Sequence, residues 1–191
     1  MELKLCNEKE IESIYNNHIV NDFPPDEVKP LKRILFLAEK ELYFVYGIYE
    51  DGKLISYAFI SGAPGCDYVL LDYLAVVSGR RGIGIGSRAM KLLKEEICKT
   101  HTGILLESEN PEYAHDEKDK KTRERRIKFY LNCGFELTKM RSCLFGVQYK
   151  IMVYAKKMPS ILSVTHAITD LYQSLIAEKH LKDNVYLHVE D

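Results

Sequence analysis

Apolar residues along the chain recur at two different spacings, and the switches between them mark the elements. After a short strand over 1–6, Asn7 can cap a helix in which Glu10 sits three residues on and Ile11, Ile14 and Tyr15 form an apolar stripe. Beyond Pro24 and Pro25, Asp26 opens a second helix with Val28, Leu31, Ile34, Leu35 and Ala38 on one face and Pro30 close to its first turn. The period then drops to two. Segments 42–49 and 54–61 are rich in aromatic and β-branched residues and flank Asp51-Gly52, a strong short-range hairpin signal, and 67–77 supplies a third strand.

Helical spacing returns with Met90, Leu93 and Ile97, and Gly103 is expected to end that helix before a strand at 104–106. A polar insertion starting at Ser108 separates this strand from a helix through Ile127, Phe129, Tyr130 and Leu131, which stops at Gly134. Strands near 135–140 and over 147–155 follow. Past Pro159, Ile161, Val164, Ile168, Leu171 and Leu175 predict a docked helix in the tail. The pattern is α+β, with no internal repeat.

Composition narrows the class without naming an activity. A chain of 191 residues suits one domain that buries roughly 70% of its unfolded surface. With 46% hydrophobic and 29% charged residues and a formal net charge of −1, it carries no bulk signal for nucleic acid. Its five cysteines are odd in number and lack C-x-x-C pairing, which points to reduced thiols and a cytoplasmic location. No apolar leader and no run of ~18 uncharged apolar residues argues for export or membrane insertion. The six histidines show no metal-ligand spacing, so no metal is expected.

The segment 70–97 carries the chemistry. A buried-strand pattern runs into a basic turn reading R-x-x-G-x-G, with Arg81, Gly84 and Gly86 in that spacing and Gly82 inside it, and then into an amphipathic helix. Glycines let a backbone approach an anion closely, and the first amides of a helix lack intrahelical partners, so the turn is suited to a pyrophosphate. Ser87 and Arg88 after Gly86 exclude a Walker loop, and Ser87 breaks the dinucleotide G-x-G-x-x-G fingerprint. Tight packing of helix on strand is the alternative explanation of the glycines.

Two separated motifs resemble the GNAT acyl-CoA N-acyltransferase superfamily: Leu74-Ala75-Val76 through Arg81-Gly82-Ile83-Gly84-Ile85-Gly86, and Phe129-Tyr130-Leu131-Asn132-Cys133-Gly134-Phe135. The resemblance spans 1–157, taken as the acyltransferase domain, with 158–191 as a C-terminal helical extension packed on it. It implies a mixed, mostly antiparallel central sheet flanked by helices. It further implies acetyl-CoA as acyl donor, with main-chain groups of Leu74, Ala75 and Val76 on pantetheine and amides of Gly82, Ile83, Gly84, Ile85, Gly86 and Ser87 on the pyrophosphate. Arg81 is the preferred arginine there, ahead of Arg80 and Arg88. Tyr130 takes the place of the general acid for the departing thiolate; without the resemblance it would read as a core aromatic.

An ammonium acceptor must lose a proton before attack, and Glu107, where similar proteins carry a glutamate, is the candidate base. Glu109 lies two residues on, on the same strand face. Both could instead simply end a strand in solvent. The insertion 111–121 departs from the family pattern and puts Arg123 where an asparagine would contact CoA; with charges of both signs over 116–128, this helix reads as a solvated face. Cys133 has no nearby histidine to activate it as a nucleophile. The resemblance therefore implies transfer of acetyl from acetyl-CoA to a primary amine in a ternary complex, the amine being a small molecule or a protein lysine or N-terminus. The alternative is a CoA-binding or regulatory module without catalysis. The apolar stripe of the C-terminal helix would also suit a homodimer contact, although docking within the chain explains it equally.

Overall fold

The computed structural model describes residues 1–25 and 27–190. The chain resolves into two compact units, one made of Met1–Gly62 and Leu71–Glu96, the other of Ala63–Leu70 and the chain from Ile97 onward. The α+β expectation is met by a mixed, mostly antiparallel fold.

The first unit starts with strand β1 (Glu2–Leu5) and helix α1 (Glu8–Ile14). The capping box forms as the sequence predicts. Asn7 Oδ1 accepts from the Glu10 amide at 3.1 Å, and the Glu10 carboxylate accepts from the Asn7 amide at 2.8 Å. The helix continues through a π turn, Tyr15–Ile19, into a last turn α2 (Val20–Asp22). Helix α3 spans Leu31–Glu39 behind Pro30, which occupies the N-cap position and locks the entry backbone. The expected start at Asp26 lies outside the described residues. Strands β2 (Tyr43–Glu50) and β3 (Lys53–Ser61) form the hairpin at Asp51-Gly52, and β4 (Tyr68–Val76) and helix α4 (Ile85–Ile97) follow. The strand order is β1-β2-β3-β4. Ile48, Ile55, Ile85 and Ala89 make a fully buried cluster that seats the start of α4 against β2 and β3.

In the second unit come β5 (Gly103–Glu109), a 3-10 turn (Pro111–Tyr113), α5 (Glu117–Asn132), β6 (Glu136–Leu144), β7 (Val147–Ala155), α6 (Ile161–Leu175), α7 (Glu178–Asn184) and β8 (Val185–Val189). Its strand order is β5-β7-β6-β8, with β5–β7, β6–β7 and β6–β8 paired antiparallel. Three expectations are corrected. Helix α4 ends at Ile97, and Gly103 opens β5, where its missing Cβ admits the Tyr154 carbonyl of β7. The polar insertion is shorter than its sequence suggests, because β5 runs on to Glu109 in register with Tyr149 and α5 already begins at Glu117 under an Asp116 cap. The tail forms the expected helix α6, capped by Ser160 and buried along Val164, Ile168, Leu171 and Leu175, and then adds α7 and the strand β8 on β6. Among the described residues no helix is long and apolar enough to cross a membrane.

Candidate active site

The turn after β4 is built from backbone. Val77 N–H donates to the Ile55 carbonyl, Arg80 N–H closes onto Val77, and Gly82 and Gly84 hold φ of +88° and +77°. A Cβ added at either glycine would meet nothing within 4 Å. Tight packing therefore does not explain them; left-handed backbone beside open space does. Ile85 is 1% exposed and anchors the helix start, while the neighbouring Ile83 side chain stands 65% exposed. The first α4 bond runs from Arg88 N–H to the Gly84 carbonyl, so the amides of Ile85, Gly86 and Ser87 precede it and lack intrahelical acceptors. Amides at the positive end of a 13-residue helix fit a pyrophosphate.

The arginines of this turn are tethered at its base. Arg81 Nη2 donates to Asp22 Oδ1 at 2.6 Å and its Nε to the Val76 carbonyl at 3.2 Å. Tyr57 donates to the other Asp22 oxygen at 2.8 Å; burial, and then this carboxylate, push its hydroxyl well above the ordinary tyrosine value. The Asp22 side chain is only 8% exposed, so Arg81 staples the turn to α2 while its charge stays beside the turn. Arg80 and Arg88 converge on Glu50 at 3.6 and 3.7 Å. Leu74, Ala75 and Val76 are half-buried at the end of β4, and the Ala75 carbonyl accepts from the buried Ser56 hydroxyl.

The other candidates lie in the second unit. Glu107 is half-buried on β5 and its Oε1 accepts from Ser142 Oγ of β6 at 2.7 Å and from the Tyr172 hydroxyl of α6 at 2.5 Å. Glu109 shares its strand face but not its surroundings. Arg123 lies 3.0 Å from one of its oxygens and Arg126 2.7 Å from the other, so two guanidiniums tie it to α5 as a structural ion pair. Arg123 itself corrects the solvated-face expectation. It is 6% exposed and gathers Glu109, Asp119 and the carbonyls of Asn110 and Tyr113. A buried guanidinium with that many acceptors folds the connection from β5 back onto α5. The His115 amide, then the Arg123 guanidinium, hold the Asp119 carboxyl below the usual range.

Tyr130 sits in the last turns of α5, edge-on to Phe129 at 5.2 Å and to Phe135 at 5.8 Å. Its hydroxyl has no hydrogen-bond partner among the described residues. Burial pushes it up to about 12, against the pull of Arg126. It is thus a neutral phenol that keeps its proton at neutral pH. Sequence reasoning missed Tyr172, whose place in the α6 stripe reads as packing, and missed Ser142, whose partner lies 35 positions back along the chain.

A family model for the acetyltransferase (GNAT) domain matches residues 40–137. Among solved structures, a Bacteroides thetaiotaomicron protein described as a GNAT-family acetyltransferase aligns with a TM-score of 0.72 and 18% identity, covering 92% of this chain and 98% of that one. The ribosomal-protein-S18-alanine N-acetyltransferase of Escherichia coli aligns with a TM-score of 0.59 and 17% identity over 84% of this chain and 96% of its own. A Salmonella typhimurium protein described as an acetyltransferase, solved with its cofactor acetyl-CoA, aligns at 0.58 and 16% over 84% and 96%. No curated protein matches the sequence. With half of the chain, including the strand, the glycine turn, Glu107 and Tyr130, inside the matched residues, this protein belongs to the GNAT acetyltransferases, whose acyl donor is acetyl-CoA.

Proposed function

We propose that the protein is an N-acetyltransferase that moves acetyl from acetyl-CoA to a primary amine by direct attack in a ternary complex. The observation that carries this reading is the open glycine turn, left-handed at Gly82 and Gly84 and running straight into unpaired amides at the start of α4. Those amides, with Gly82 to Ser87, hold the pyrophosphate, and the end of β4 at Leu74, Ala75 and Val76 lines the pantetheine. Acetyl-CoA supplies the activated thioester.

Glu107 takes a proton from the bound ammonium, and the freed nitrogen lone pair forms the new C–N bond to the acetyl carbon. The C–S bond breaks, its electrons leave on sulfur, Tyr130 gives its proton to that thiolate, and the second proton that the nitrogen sheds as it becomes the amide restores the Tyr130 phenol. A phenol held at about 12 by burial is a suitable donor, since it enters each turnover protonated. The acceptor class is a protein N-terminus, a lysine or a small amine.

Tyr130→Phe provides the test, read by thiol release with spermidine, kanamycin and a peptide with an N-terminal alanine as acceptors, beside calorimetric titration with acetyl-CoA. An acid acting on the leaving group contributes in the transition state, so the rate should fall on the order of 100-fold while affinity for acetyl-CoA is kept. Parallel loss of rate and binding would remove the acid role, and a wild-type protein that binds acetyl-CoA but releases no thiol with any amine would be a binding module. Gly84→Glu should abolish binding through the turn.

A further inference from the structure

Glu107 and Glu109 are two carboxylates on one strand face. Two arginines pair with Glu109, while hydroxyl donors converge on Glu107 Oε1. Hydrogen bonds from hydroxyl donors fix the orientation of a carboxylate. Both donors are themselves fixed: Tyr172 is 2% exposed and Ser142 1% exposed. Ser142 is held in the β6–β7 ladder opposite Tyr149. Tyr172 lies in the stripe of α6 with Ile168, Leu171 and Leu175, so its ring has one seat. Burial first, and the charge of Glu107 next, push the Tyr172 hydroxyl well above its ordinary value, so it stays a donor.

We propose that Tyr172 and Ser142 are positioning residues for the Glu107 base, clamping its carboxylate in one rotamer, so that the C-terminal helix beyond the matched family domain takes part in setting the rate of acetyl transfer. The inference rests on the reading of Glu107 as base. Neither hydroxyl touches substrate in it; each acts through Glu107. A glutamate has three rotatable side-chain bonds, and two donors meeting on one oxygen select the orientation in which the carboxylate receives a proton.

A mutational cycle tests this, using thiol release with the best acceptor among spermidine, kanamycin and the alanine peptide. Tyr172→Phe keeps the buried ring and removes only the donor. Its kcat should fall about 10-fold, the scale of one hydrogen bond to a charged group, with the KM for acetyl-CoA unchanged. Ser142→Ala should lower kcat in the same direction. In a Glu107→Gln background, assayed on its residual rate, Tyr172→Phe should cost nothing further, because its effect passes through the carboxylate. An equal loss in both backgrounds, or a loss that tracks a lower Tm, would overturn the proposal and leave Tyr172 as packing. If Glu107→Gln keeps full kcat, the base reading falls and this one with it; if Glu107→Gln is slow while Tyr172→Phe is as fast as wild type, only this one falls.

Discussion

The acid proposed for the departing thiolate must still hold its proton at the pH where the amine loses one, and the surroundings of Tyr130 suit that role without a hydrogen bond. Burial disfavours the phenolate and outweighs the opposing pull of Arg126, which raises the hydroxyl to about 12. The group is protonated below that value, so its acid form is complete across the ordinary assay range and declines only as pH approaches 12. The basic limb of the kcat profile should therefore not fall below about pH 10 on account of Tyr130, and an ultraviolet absorbance titration of Tyr130→Phe should show as many tyrosines titrating near pH 10 as wild type does. A kcat that declines with a midpoint near 10, and that loses this decline in Tyr130→Phe, would show a phenol of ordinary acidity and contradict its burial. Arg123 illustrates the same scale from the other side. In sequence it is one more charge in a mixed helix; in the structure its guanidinium is the point where Glu109, Asp119 and two carbonyls meet.

At the level of elements, backbone contact decides positions that side-chain pattern cannot. Gly103 begins β5 where an added Cβ would lie 2.3 Å from the Tyr154 carbonyl and 3.0 Å from both Ala155 and Tyr68. The nearest obstacle is main chain in a paired strand, so relief requires the β5–β7 ladder to shift. Gly103→Ala is expected to cost about 3 kcal/mol by overpacking, lowering Tm by roughly 6–12 °C in a chain of this size; a thermal melt within 2 °C of wild type would show that the ladder yields easily. Elements governed by local signals were legible: the Asn7–Glu10 box, the Asp51-Gly52 turn and the α6 stripe all depend on residues within a few positions. Those governed by distant pairing were not. The polar stretch Glu107 to Glu109 stays a strand because Tyr149 to Ile151 continue its ladder, and β8 exists because Met140 to Leu144 offer it an edge. The site divides along the same line. The glycine turn could be read from spacing, whereas the Tyr172 and Ser142 donors on Glu107 come from positions 65 and 35 residues away.

For the molecule as a whole, the consequence concerns the residues after 157. The matched family domain ends at 137, yet the buried positions of the second unit include Val164, Ile168, Leu171, Tyr172 and Leu175 of α6 alongside Ile104, Leu105, Leu106 and Phe135. Fully burying an aliphatic side chain contributes about 1.5–3 kcal/mol, so Val164, Ile168, Leu171 and Leu175 together contribute about 6–12 kcal/mol. That equals the net stability of a typical domain, roughly 5–15 kcal/mol. Removing 158–191 would also expose the apolar positions that α6 covers and strip Glu107 of the Tyr172 donor. The truncated chain is therefore expected to lose its cooperative thermal transition and near-ultraviolet circular dichroism and to aggregate, rather than to persist as a slower enzyme. A shorter deletion that removes only α7 and β8 separates the two contributions: it leaves α6 in place, so the transition should survive, while amide exchange accelerates along Met140 to Leu144, where β8 pairs with β6. A truncation at 157 that melted like wild type would mean that the second unit folds around β5, β6 and β7 alone and that α6 is covering, not core.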